Sequence, residues 1–210
     1  NRDLPKTNAA GQSEKMHFSL GAVAAILIGF TSSTTFMVWL NCNQELGAAY
    51  GVKNPASLQS LYAVGAGIAV LLTARLIKLG LKESTVLVVY PVISVIMLLL
   101  CYFIQTPSIL YIGSFVIGYA AAGGVLQLAT STTINFFPNH KGTATSLVMI
   151  ASSIANYAVL SGAAGLTKLF GDDAPRMIIL LNVAITICGI GLALIVKAQE
   201  KRIPALSQAR

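Results

Sequence analysis

The chain has 210 residues, 55% of them hydrophobic and 10% charged, and its mean hydropathy is +0.75. Soluble domains carry about a quarter charged residues, so a water-soluble fold is excluded and a membrane protein is expected. The formal charge of +7 does not indicate nucleic acid, because Lys and Arg lie between apolar runs rather than in a patch with interleaved aromatics.

Residues 1–16 (NRDLPKTNAAGQSEKM) are polar and small and read as a cytoplasmic linker without a signal-peptide core. A chain that begins at Asn1 with no initiator Met is expected to be a fragment or a processed product. Six apolar segments follow, at about 17–40, 58–79, 84–104, 108–132, 142–167 and 175–197, within a transmembrane domain of 17–200; residues 201–210 form a cytoplasmic tail. Each segment has about twenty residues or more, enough to cross a ~30 Å hydrocarbon core at 1.5 Å per residue. Only helices or a closed barrel satisfy the backbone in lipid, and runs this long without strict alternation exclude barrel strands. The fold class is therefore all-α: a polytopic membrane protein with six transmembrane helices.

The first segment carries Thr31-Ser32-Ser33-Thr34-Thr35, then Trp39 and Asn41. Thr34 and Asn41 are seven apart and share a face. Gly21, Ala25 and Gly29 repeat every fourth residue, as do Ala120 with Gly124 and Ser161 with Gly165, a spacing that lets helices approach closely in lipid. Asn54-Pro55-Ala56 opens the second segment, which then holds Gln59 and Tyr62. That triplet also occurs in water channels, but there in two copies meeting at mid-membrane. A single copy at a segment start reads as an Asn cap with Pro in the first turn, and Thr106-Pro107 and Asp173-Ala174-Pro175 repeat the pattern. The fourth segment holds Tyr119, Gln127, Thr130 and Ser131, with Gln127 and Ser131 one turn apart. Pro138 and Gly142 break the chain before the fifth, which holds Ser152, Ser153, Asn156 and Tyr157. The third and sixth are nearly bare of such groups apart from Ser94, Asn182 and Thr186. Polar side chains in lipid face a partner, a bundle interior or water, so four striped helices are expected around a cavity and two outside it. Single hydroxyls often bond the preceding turn of their own helix; Asn41, Gln127, Asn156 and Tyr157 are harder to satisfy that way. The candidate solute-binding residues are Thr34, Asn41, Gln59, Tyr62, Tyr119, Gln127, Ser131, Ser153, Asn156 and Tyr157.

Orientation follows from the basic residues. If both termini share one side, that side receives Arg2, Lys6, Lys15, Arg75, Lys78, Lys82, Lys141, Lys197, Lys201, Arg202 and Arg210, and the other only Lys53, Lys168 and Arg176. The bias puts both termini in the cytoplasm. Enzyme chemistry has little material here. His17 and His140 sit at segment ends, no segment interior carries Asp or Glu, and no intramembrane His or Lys stands ready to activate a serine. Cys42, Cys101 and Cys188 have no paired spacing and read as small core hydrophobes. The chain is expected not to be an enzyme and to hold no metal and no cofactor.

Ala120-Ala121-Ala122-Gly123-Gly124-Val125-Leu126-Gln127, and Phe136-Phe137-Pro138 followed by Lys141-Gly142, resemble the tenth helix, the next cytoplasmic loop and the eleventh helix of bacterial major facilitator superfamily transporters. Over residues 17–200 the arrangement resembles the carboxy-terminal six-helix half of that family. Arg75, Lys78, Gly80 and Lys82 keep the basic residues and a glycine of the family's loop between the second and third helices of a half, while its Asp is absent. The resemblance implies a plasma-membrane transporter (the bacterial inner membrane) working by alternating access. Its first, second, fourth and fifth helices would border the cavity, and Pro138, Lys141 and Gly142 would form a cytoplasmic turn. Its partners would be the lipid bilayer, an amino-terminal six-helix half, a small solute and possibly a coupling ion. A polar organic solute is the leading expectation. A multidrug exporter of the same fold, a non-transporting scaffold or receptor, and a half-sized protein working as a homodimer stand as alternatives.

Overall fold

A computed structural model describes residues 18–200. The linker at 1–16, the tail at 201–210, His17 and the basic residues on those segments lie outside the described residues. The elements are α1 (Leu20–Ala49), α2 (Ala56–Lys78), α3 (Glu83–Phe103), α4 (Pro107–Ile117), a π-helical turn (Gly118–Ala122), α5 (Val125–Phe136), α6 (Lys141–Phe170), a 3-10 turn (Gly171–Asp173) and α7 (Ala174–Glu200). No strand occurs among the described residues. Since α4, the π turn and α5 form one interrupted column, the described residues make six columns. Helical turns run without a gap over the 59 residues Lys141–Gln199. As one rod they would reach about 90 Å at helical rise; Gly171, at φ +53°, and the 3-10 turn divide them instead, and α6 folds back on α7.

Several boundaries differ from the apolar segments for identifiable reasons. α1 runs to Ala49 rather than stopping near residue 40, because its buried stripe continues through Trp39, Asn43, Leu46 and Gly47 after the hydropathy falls. This brings Glu45 onto a helix, at an exposed position. Asn54 acts through its main-chain carbonyl rather than as a side-chain cap: it accepts from Ser57 N at 3.1 Å and Ser57 Oγ at 2.6 Å. Gly142 lies inside the first turn of α6, so the break is confined to residues 137–140.

α1 is the central element, packed chiefly on α7 and α6 and also on α5 and α2; α3 joins α7 to α4. The two ends of the bundle are distinct. At one end Gly21 lies against the Phe136 ring and Gln199, and Glu83 reaches α5. At the other, Tyr50 donates to the Cys101 carbonyl at 3.0 Å, and Arg176 sits 5.1 Å from the Tyr102 ring centre. With its amide oxygen turned to that guanidinium, Gln105 accepts from Nε at 3.2 Å and Nη2 at 2.8 Å. Burial raises the Tyr50 phenol above its usual range, and the adjacent Arg176 partly offsets that rise.

The small-residue repeats divide by position. Gly29 admits Val148, whose Cγ1 would stand 2.7 Å from an added Cβ, and Gly21 admits Phe136. Gly124 and Gly165, by contrast, have no neighbour within 4 Å, so their repeats do not mark a close contact among the described residues. Gly124 serves the backbone instead, at φ +100°.

The hydroxyl run of α1 ties helices together. Ser33 shares a 2.6 Å hydrogen bond with Ser152 of α6, and Thr35 one of 2.8 Å with Thr186 of α7; Asn182 Nδ2 donates to the Thr35 carbonyl at 3.1 Å. Polar interhelical bonds in membranes average about 0.6 kcal/mol. Ser33→Ala is therefore expected to destabilise the full-length protein by roughly 0.5–1.5 kcal/mol. Ser33→Ala and Ser152→Ala should be non-additive in a thermal-unfolding double-mutant cycle; strict additivity would mean the bond is not made.

Candidate functional site

α2 and α6 determine what the molecule offers to a ligand. On α2 the buried residues are Leu58, Tyr62, Gly65, Ala69 and Thr73; on α6 they are Ala144, Val148, Ser152, Ala155, Val159 and Ala163. These spacings of three and four make one narrow packed stripe per helix. Each helix therefore turns a wide face away from the rest of the described chain.

Those faces, with exposed positions on α1 and α5, carry part of the candidate set. Tyr157 is 80% exposed, and Ser153, Asn41 and Gln127 are also exposed. Ser153 and Asn41 satisfy themselves on their own helices, donating to the Met149 carbonyl at 2.9 Å and the Met37 carbonyl at 2.8 Å. Gln59 and Asn156 are half-buried, and their amide oxygens (Oε1 and Oδ1) have no partner among the described residues. A buried amide oxygen without a partner is costly unless a ligand, water or another protein surface supplies a donor.

The other candidates lie inside the bundle. Thr34 is buried and donates to the Phe30 carbonyl at 3.0 Å. Tyr62 is buried in the apolar cluster of Trp39, Leu58, Leu98, Leu110 and Ile117. Ser131 donates to Glu83 Oε1 at 3.0 Å, and Thr132 to Oε2 at 3.4 Å. Glu83, just outside the expected third segment, thus opens α3 with a half-buried carboxylate where the helix dipole favours it. No hydrogen bond among the described residues joins one candidate to another.

Tyr119 belongs to a site that spacing alone did not reveal. The fourth column breaks at the π turn and at Gly123-Gly124, and the freed Gly123 carbonyl accepts from Thr73 Oγ1 at 3.4 Å. Thr73 Oγ1 also lies 2.6 Å from Tyr90 OH, which donates to Tyr119 OH at 3.3 Å; the two rings are 5.5 Å apart. Hydroxyls from three columns therefore close around an irregular backbone, the kind of discontinuity found at functional positions in membrane helices. The paired glycines were the available signal. Thr73 and Tyr90 carried none, being isolated polar residues in apolar segments.

In the loop between α2 and α3, Arg75 and Lys78 occupy the last turn of α2, where cations complement the helix dipole. Gly80, at φ +100°, reverses the chain, and Lys82 precedes α3 with extended backbone. In the other turn of the same end, His140 N donates to the Phe137 carbonyl at 3.0 Å, Pro138 is exposed, and Lys141 starts α6. Among the described residues no cluster of His, Cys, Asp and Glu could hold a metal ion.

A sequence profile of the Major Facilitator Superfamily matches residues 20–209. The chain is 32% identical over 171 residues to a protein named uncharacterized MFS-type transporter YfkL of Bacillus subtilis, covering 80% of this chain and 43% of the relative. It is 30% identical over 205 residues to the inner membrane transport protein YdiM of Escherichia coli, covering 96% of this chain and 50% of the relative. A third relative, the inner membrane transport protein YdiN of Escherichia coli, is 29% identical over 160 residues, covering 75% of this chain and 37% of the relative. The chain thus spans half or less of the length of these curated relatives. With its apolar helices, it is a multi-pass membrane protein, and it belongs to the major facilitator superfamily.

Proposed function

We propose that the chain is the carboxy-terminal six-helix half of a secondary transporter that moves a small polar organic solute by alternating access. The observation that carries this reading is the pair of buried amide oxygens, Gln59 Oε1 and Asn156 Oδ1, unpartnered on half-buried residues of the two helices with the widest uncovered faces. They need donors, and a polar solute at the junction of two halves supplies them. Relatives of at least twice the matched length support the missing half, and the family argues against an enzyme. Orientation rests on the basic residues. Arg75, Lys78, Lys82, Lys141 and Lys197 all belong to the Gly21–Gln199 end, which by the positive-inside bias is the cytoplasmic one. With no acidic side chain in mid-helix on this wall, any proton-coupling carboxylate would belong to the other half.

Solute uptake by the full-length protein in proteoliposomes tests the site. Replacing Gln127, Asn156 and Tyr157 together by Ala is expected to cut uptake at least tenfold while leaving the amount of folded protein unchanged. Unchanged uptake would remove these residues as the binding wall. Competition by lipophilic cations but not by polar solutes would favour the multidrug alternative, for which exposed Tyr157, Ile150 and Ile154 offer an apolar surface.

A further inference from the structure

Not every unpartnered polar group lies on the uncovered faces. Trp39 and Asn43, at i and i+4 on α1, are 2% and 1% exposed. Neither Trp39 Nε1 nor the Nδ2 and Oδ1 of Asn43 has a hydrogen-bond partner among the described residues. Both side chains line a cavity in the α1–α7 seam together with Cys42, Leu46, Pro175 and Asn182, at the end away from Glu83. The space admits about one water molecule.

The lining narrows the class of ligand. An organic solute is too large. The unmet groups include two N–H donors, Trp39 Nε1 and Asn43 Nδ2, which repel a metal cation, and no carboxylate lines the cavity to neutralise one. An anion would be buried with no Lys or Arg in the lining. Asn182 makes no hydrogen bond to Trp39 or Asn43; its Nδ2 donates to the Thr35 carbonyl and its Oδ1 accepts from Thr186. Water is the ligand that accepts from N–H groups and donates to an amide oxygen in the same space. We propose that this cavity is a built water site, in which a bound water accepts from the Trp39 indole N–H and is held by the Asn43 amide. The site is independent of the solute wall on α2 and α6, so its test does not depend on transport.

Ultraviolet resonance Raman spectra of the full-length protein in lipid nanodiscs read whether an indole N–H is hydrogen-bonded. The difference between wild type and Trp39→Phe isolates this one indole. The expected wild-type spectrum is that of a bonded N–H. Asn43→Leu, which fills the cavity with an apolar side chain, should convert it to the unbonded form. Cys42→Met, which narrows the same space from a neighbouring position, serves as the second variant should Asn43→Leu fail to assemble. An unbonded Trp39 in the wild type overturns the proposal. So does a bonded Trp39 that neither variant disturbs, because the partner would then be a protein group.

Discussion

Gly118→Val is expected to prevent assembly of the helix bundle, with a loss of more than about 3 kcal/mol. Added bulk in a packed interior usually costs about 1–3 kcal/mol, because side chains shift to relieve it. At Gly118 relief is not available. A Cβ there would run into the Tyr62 carbonyl and stand 2.9 Å from Tyr62 Cα, all main-chain atoms of α2. Gly65 meets the Phe115 carbonyl reciprocally, so α2 and the fourth column touch backbone to backbone at two successive points. Only glycine permits that approach. Gly67→Ala, two residues along α2 where an added Cβ meets nothing within 4 Å, should be neutral or slightly stabilising. Membrane yield and the thermal unfolding of detergent-purified full-length protein would compare the three. A Gly118→Val protein that melts like the wild type would mean the two columns can separate without loss.

The second large effect is expected at Leu98, fully buried among Trp39, Leu110 and Ile117. In a water-soluble core Leu→Ala costs about 2–5 kcal/mol, a transfer contribution plus a cavity contribution. Lipid is as apolar as leucine, so the transfer part largely vanishes for a helix already in the bilayer, and packing remains. Leu98→Ala should therefore cost about 2 kcal/mol, at the low end of that range. Ile112→Ala, on the exposed side of α4, should cost under about 0.5 kcal/mol. Unfolding the full-length protein from mixed micelles with a denaturing detergent would measure both. Equal losses at the two positions would show that burial inside this bundle confers no packing advantage over lipid.

The polar residues show how far a one-dimensional reading reaches. Ser33 and Thr35 stood in the same hydroxyl run as Thr34, and spacing could not say which of them would meet another helix. In the fold Ser33 and Thr35 bond across to α6 and α7, while Thr34 bonds its own turn. Asn156 and Tyr157 were conspicuous as residues that a helix cannot easily satisfy internally. One now has an unpartnered oxygen and the other stands exposed. Thr73, Tyr90 and Asn43 were not conspicuous, because their significance depends on neighbours more than fifteen residues away or on a cavity between helices.

Composition, segment length and the segregation of Lys and Arg determined by themselves that this is an all-helical, multi-pass membrane protein. Each of those properties is set locally, by what lipid does to an unpaired backbone and to a charge. The AAAGG run and the polar stripes, read with them, were enough to resemble the major facilitator superfamily. Only the tertiary structure decided the rest: that Gly118 and Gly65 carry a backbone-to-backbone helix contact, that Glu83 is held by α5, and that Tyr119 closes a hydroxyl cluster around a broken helix. The reason is physical. Which face of a helix is buried, and what stands across from it, depends on the docking angle and depth of a second helix. No periodicity within a single helix encodes either of these.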